Sequence, residues 1–151
     1  MPIHNDAQES LTAGGADRLE NLGFLLSVEV SPPQSLARLL ALQQPTASQG
    51  VIGLALVDTG ASCCCVEESA LRRLQLEPVR HTEVRSPNGS RRQFVYVARL
   101  GFPGSAIPAT ELPVVGVQMG SEEIIALVGR DFLRHCLLVY NGPAGRCSLA
   151  F

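Results

Sequence analysis

Tryptophan and lysine are both missing from the 151 residues, and aromatic residues make up only 5% of them. A core without large rings has to be built from Leu, Val, Ile and Ala, within a 46% hydrophobic content that is ordinary for a globular protein. All twelve basic residues are arginine, and with fourteen acids the net charge is −2. That balance excludes a strongly basic nucleic-acid protein and an acidic tail. A Gly-rich phosphate loop and an aromatic-basic pattern are missing too, so no nucleic-acid partner is expected. No window approaches the roughly 20 apolar residues of a membrane span. Met1 to Asn21 lacks the basic-then-apolar order of a signal peptide. The expectation is a cytoplasmic protein without a membrane partner. Residues 1–22, polar and carrying Gly14-Gly15, read as a flexible arm, and 23–151 as one domain.

The five cysteines are an odd number, and Cys63, Cys64 and Cys65 are consecutive. They form neither a disulfide framework nor the CxxC pairs that zinc prefers, which points to a reducing compartment and to no metal or cofactor. Neighbouring side chains on a strand face opposite ways, so at most Cys63 and Cys65 converge. Small buried apolar residues are the favoured reading, ahead of a thiol hydrolase or redox protein.

What is present is a series of short strands. Phe24 to Val30 alternates with period two and stops at Pro32-Pro33. Ser35 caps a short helix carrying Leu36, Leu39 and Leu40, and Asp17 to Leu22 and Glu67 to Leu74 are further helix candidates. Val79 to Arg85 and Gln93 to Phe102 flank Ser86-Pro87-Asn88-Gly89-Ser90, where Asn-Gly signals a hairpin. This hairpin holds Arg80, Arg85, Arg91, Arg92 and Arg99 against Glu83, a local charge of +4 that leaves −6 elsewhere. A solvated hairpin protected from edge pairing is favoured over one that selects acidic substrates. Leu112 to Val117 is a strand despite Pro113, Ile124 to Val128 is another, and Arg130 to His135 makes one or two helical turns. Leu137 to Tyr140 and Cys147 to Phe151 close the chain around an Asn-Gly turn. The class is mostly β, a sandwich or barrel.

Val51 to Val57 is continuously apolar and reads as a strand covered on both faces, yet Asp58 follows it directly. A second apolar strand likewise ends in Gly129-Arg130-Asp131. Leu-Val-Asp-Thr-Gly-Ala-Ser, a hairpin, and Leu-Val-Gly-Arg-Asp-Phe-Leu some seventy residues later resemble the retropepsin-like aspartic proteases over about Phe24 to Phe151. The small bacterial single-domain members are the most similar in form. The resemblance implies a closed β-barrel of the acid-protease fold with one or two short helices. Asp58 is then catalytic and Thr59, Gly60 and Ala61 support it. Ser86, Pro87, Asn88, Gly89 and Ser90 form the flap over substrate, and Gly129, Arg130 and Asp131 are structural near the site.

Two carboxylates are needed, one to take a proton from water and one to give a proton to the carbonyl oxygen. The chain has one Asp-Thr-Gly, and its other aspartates are Asp6, Asp17 and Asp131. The resemblance implies a homodimer that brings two copies of Asp58 together on a two-fold axis. Asp131 is the lesser candidate, since an acid in the first turn of a helix has a structural reason to be there. Arg130 is expected to anchor its helix by an ion pair. The viral members place acids directly after Asp-Thr-Gly-Ala where this chain has Ser62 and Cys63, so the partner of Arg130 is open. The function implied is a homodimeric aspartic endopeptidase acting on peptides or proteins. The alternative is a binding or dimerisation module with the same fold and little activity. His81 and His135 invite a nucleophile-base reading, but no Gly-x-Ser-x-Gly elbow accompanies them.

Overall fold

A computed structural model describes residues 3–6, 15–43, 50–86 and 89–151. The elements in order are β1 (Ile3–Asp6), α1 (Gly15–Leu22), β2 (Leu25–Ser31), α2 (Gln34–Gln43), β3 (Val51–Val57), β4 (Cys65–Glu67), α3 (Glu68–Arg73), β5 (Arg80–Ser86), β6 (Gly89–Gly101), β7 (Thr110–Val117), β8 (Ile124–Val128), α4 (Arg130–Leu133), β9 (Leu137–Asn141) and β10 (Arg146–Ala150). The described part is mostly strand, and none of its helices is long and apolar enough to cross a membrane.

Seven strands follow the order β2-β3-β8-β4-β7-β6-β5, and β6 also pairs back onto β2. That last pairing, Val30 opposite Leu100, closes six strands into a ring and leaves β5 as an outer arm on β6. β3 lies parallel to β8 and β4 parallel to β7, while the other pairs in the ring are antiparallel. A second sheet, β1-β10-β9, is antiparallel throughout. Pro113 is tolerated because it lies in the half of β7 that pairs with β6 alone, before Val115 meets β4.

Alternation decides what each face of the ring does. Val28, Val30, Ala55, Val66, Ala98, Leu100, Val114, Ala126 and Val128 point inward into one core, which Leu71 of α3 and Leu74 just after it close. Phe132 of α4 joins this core and stacks at 5.4 Å on Phe102 and 5.6 Å on Phe151. α2 behaves differently. Ser35 lies within it rather than capping it, and none of its residues is buried.

The apolar run of β3 corrects one expectation. Among the described residues it is fully covered on one face only: Val51 and Ala55 are buried, whereas Ile52 is 73% exposed and Leu54 and Leu56 are half-buried. The uncovered face is the one that runs, by alternation, toward Asp58. An apolar run was a correct sign of a strand but said nothing about how many layers lie over it.

Candidate functional site

The parallel pairing of β3 with β8 sets Val57 beside Val128, so the two Gly-containing motifs leave the sheet next to each other. The Asp58 N–H continues this ladder by donating to the Val128 carbonyl at 3.0 Å. The chain then turns sharply, and Ala61 N–H reaches the Asp58 carbonyl at 3.2 Å. Inside this turn Asp58 Oδ1 accepts from Gly60 N–H at 2.8 Å and Ala61 N–H at 3.3 Å. An aspartate that bonds the backbone two residues on is a local turn-former, which is why this sequence folds back here. A Cβ on residue 60 would stand 3.0 Å from Asp58 Oδ1, against the carboxylate itself. Oδ2 has no hydrogen-bond partner among the described residues, and the side chain is half-buried at the end of the uncovered face.

The second motif holds the first from behind. Arg130 N–H donates to the Ala61 carbonyl at 3.0 Å, and its guanidinium donates to Thr59 O at 2.8 Å and Gly60 O at 3.0 Å. The expected ion pair is not how this arginine works: among the described residues it bonds carbonyls. With Ser62 and Cys63 in place of acids, the carbonyls of the turn are the acceptors within reach.

Asp131 is fully engaged. Its Oδ2 accepts from Cys64 N–H at 3.0 Å, and its Oδ1 accepts from the Cys64 thiol at 3.1 Å and from Phe132 N–H at 2.8 Å. The Cys64 sulfur in turn accepts from Gly129 N–H at 3.3 Å. Gly129 has no room for a side chain, because a Cβ would lie 2.4 Å from both the carbonyl carbon and oxygen of Cys63. Gly129, Asp131 and Cys64 thus form a clamp between the two motifs. Burial pushes the Cys64 thiol far above its ordinary range, and the Asp131 carboxylate adds to the shift. A buried thiol of this kind is a poor nucleophile.

A row of apolar side chains crosses the sheet from the site. Leu56 is opposite Leu127, Leu127 opposite Cys65, Cys65 opposite Val115, and Val115 opposite Val95. Cys65, Val95 and Val115 are buried in a small cluster of their own, with Cys63, Val84, Val117, Met119 and Leu127 packed around them. These residues were missed in the sequence because they converge only through non-local strand registers.

The expected hairpin forms from β5 and β6, with Ser86 opposite Gly89 and Arg85 opposite Ser90. Gly89 has φ +114, a conformation that suits glycine at the end of a tight turn. Pro87 and Asn88 lie outside the described residues. On the arms, Glu83 pairs across from Arg92, whose guanidinium meets His81 Nε2 at 2.6 Å. His81 is therefore occupied on the hairpin, and His135 is exposed beyond α4. Neither is paired with a cysteine or serine hydroxyl among the described residues.

A strand into Asp-Thr-Gly, a hairpin, and a second strand into Gly-Arg-Asp and a helix now stand in three dimensions, with the two motifs side by side. The fold is retropepsin-like. Neither a protein-family model nor a curated protein matches the chain. Among solved structures, the retropepsin-like chain is similar to a simian foamy virus protease at 19% identity and TM-score 0.46, over 74% of this chain and 92% of that one. It is similar to EIAV protease at 18% and 0.44, over 76% and 90%. A third likeness is to the retroviral protease-like domain of Ddi1 from Leishmania major, at 17% and 0.41, over 78% and 81%. These are likenesses of form; what the retropepsin-like chain does is read from its own residues.

Proposed function

We propose that the chain is an aspartic endopeptidase that works as a homodimer, with one Asp58 from each subunit. The observation that carries this reading is the state of the Asp58 carboxylate. One oxygen is held by two backbone N–H groups, and the other has no partner within a single chain's described residues. Asp131, the alternative second acid, spends both oxygens on the clamp to Cys64. A two-fold axis beside Asp58 supplies the missing carboxylate from an identical chain.

Two carboxylates at close range do not both ionise; they share one proton and titrate as a pair. The ionised member takes a proton from a water held between them, and that water attacks the scissile carbonyl carbon. The protonated member gives its proton to the carbonyl oxygen as negative charge develops there. The Gly60 and Ala61 N–H groups orient the carboxylate, and Arg130 keeps the turn closed. The hairpin of β5 and β6, at the end where Ser86 pairs with Gly89, closes over bound peptide and excludes water. The half-buried Leu56 and Leu127, at the near end of the apolar row, are the floor on which substrate side chains lie. The test is cleavage of unfolded proteins or a peptide library between acid and neutral pH. Wild type is expected to cleave and Asp58→Asn to be inert. No cleavage by wild type, or equal cleavage by both, overturns the reading.

A further inference from the structure

Three adjacent cysteines are put to two different uses. Cys64 points into the main core and belongs to the clamp, while Cys63 and Cys65 face the other way, into the small apolar cluster beside the Asp58 turn. The Cys65 thiol is turned back toward Cys63, donating to its carbonyl at 3.7 Å, and both side chains belong to the same small cluster. On a flat strand, residues two apart have Cα atoms roughly 6.6–6.8 Å apart, at the upper limit for a disulfide. Here only Cys65 lies in β4, and Cys63 sits in the bend that precedes it, so the pair is not held in flat-strand geometry. Neither Cys63 nor Cys65 is in a disulfide in this structure. Among the described residues no three His, Cys, Asp or Glu side chains converge as a metal would require, so a dithiol is the chemistry this pair offers.

We propose that Cys63 and Cys65 form a reversible disulfide when the protein meets a peroxide, and that closing this ring loosens the clamp made by the residue between them. Cys63 is the half-buried member and reacts first: its sulfur takes an oxygen from hydrogen peroxide, giving a sulfenic acid and one water. The Cys65 sulfur then attacks the Cys63 sulfur. The S–S bond forms, the S–O bond breaks, and the hydroxyl leaves as a second water with the Cys65 proton. Two electrons pass in all from the dithiol to the peroxide. Burial pushes the Cys65 thiol up to about 12, with Cys63 the next contributor, so Cys65 enters the second step as a thiol and gives up its proton there.

The ring pulls the Cys63 and Cys65 backbones together and rotates the peptide units of Cys64. Cys64 N–H and Sγ are bonded to Asp131, and Gly129 packs on the Cys63 carbonyl. Loss of one such bond is worth about a factor of ten.

The experiment treats the reduced full chain with hydrogen peroxide, counts thiols after denaturation and maps the bond by mass spectrometry. Two of the five thiols are expected to disappear, with the loss of two hydrogens located between Cys63 and Cys65 and reversed by dithiothreitol. The loss is expected to persist in Cys64→Ser and to vanish in Cys63→Ser and Cys65→Ser. All five thiols surviving, Cys63 over-oxidised without a partner, or a bond to another cysteine overturns the proposal. The effect on the site rests on the endopeptidase reading, so it is measured separately, as an approximately tenfold reversible loss of peptide cleavage. Unchanged cleavage in the oxidised protein overturns the coupling. A mapped disulfide in a protein that never cleaves peptide instead refutes the endopeptidase reading and leaves the dithiol site standing.

Discussion

Replacing Gly129 with alanine tests the packing of the two motifs more directly than removing any side chain. The backbone there, with φ −89 and ψ −179, suits alanine as well as glycine, so no conformational strain enters. The added methyl would lie 2.4 Å from the Cys63 carbonyl carbon and oxygen and 3.0 Å from its Cα. These are backbone atoms and cannot swing aside as a side chain does. Ordinary contact begins near 3.4 Å, so the motifs must part by about 1 Å, a displacement that can cost on the order of a hundredfold in catalysis. Overpacking of this kind costs roughly 1–3 kcal/mol. Restricting the unfolded chain returns about 0.4–1 kcal/mol, leaving a net loss near 1–2 kcal/mol. With a urea m-value of roughly 1–3 kcal/mol/M, the unfolding midpoint should fall by about 0.3–2 M. Peptide cleavage should fall by more than the folded fraction accounts for. An unchanged midpoint with unchanged cleavage would refute the claim that Gly129 is there to let the motifs touch.

Asp131→Asn keeps the shape but sets an amide N–H₂ against either the Cys64 N–H or its thiol, and should cost about 1–3 kcal/mol in urea unfolding. No loss would mean that the clamp is not what joins the motifs. Alkaline pH acts on the buried thiols. The Cys65 thiol ionises near 9.0 when unfolded but only near 12 when folded, so its contribution is fully present below about pH 9 and is lost as pH rises toward 12. The urea midpoint should therefore drop between pH 8 and 10.5, and drop less in Cys65→Ala; equal drops would place the alkaline sensitivity elsewhere.

Local patterns in the chain carried a good deal of this. Period-two alternation marked β2 and β6, Asn88-Gly89 marked the hairpin, and Gly129 marked the start of α4, because each signal arises within a few residues. Asp58 stood out as an acid directly after an apolar strand, but the turn that its carboxylate closes with the Gly60 and Ala61 N–H groups was not read. What stayed hidden depends on register between distant strands. The parallel pairing of β3 with β8 brings Val57 to Val128, and nothing local in either run specifies it. Arg130 was expected to find an acid and found the Thr59 and Gly60 carbonyls, a choice made by the shape of a turn seventy positions away. The uncovered face of β3 was hidden for a related reason. Leu54 and Leu56 look like core residues in sequence, and only the assembled ring shows that they stay half-buried among the described residues.

The central claim is that the active site is built from two Asp58 carboxylates on two chains, and mixing tests it most directly. Wild type and Asp58→Asn are unfolded together in equal amounts, refolded so that subunits pair at random, and assayed for peptide cleavage. If both carboxylates are required, only wild-type pairs are active, and activity falls to about one quarter, following the square of the wild-type fraction. Activity that falls only to one half, in proportion to the wild-type chains present, would mean that a single chain carries a complete site and would contradict the account.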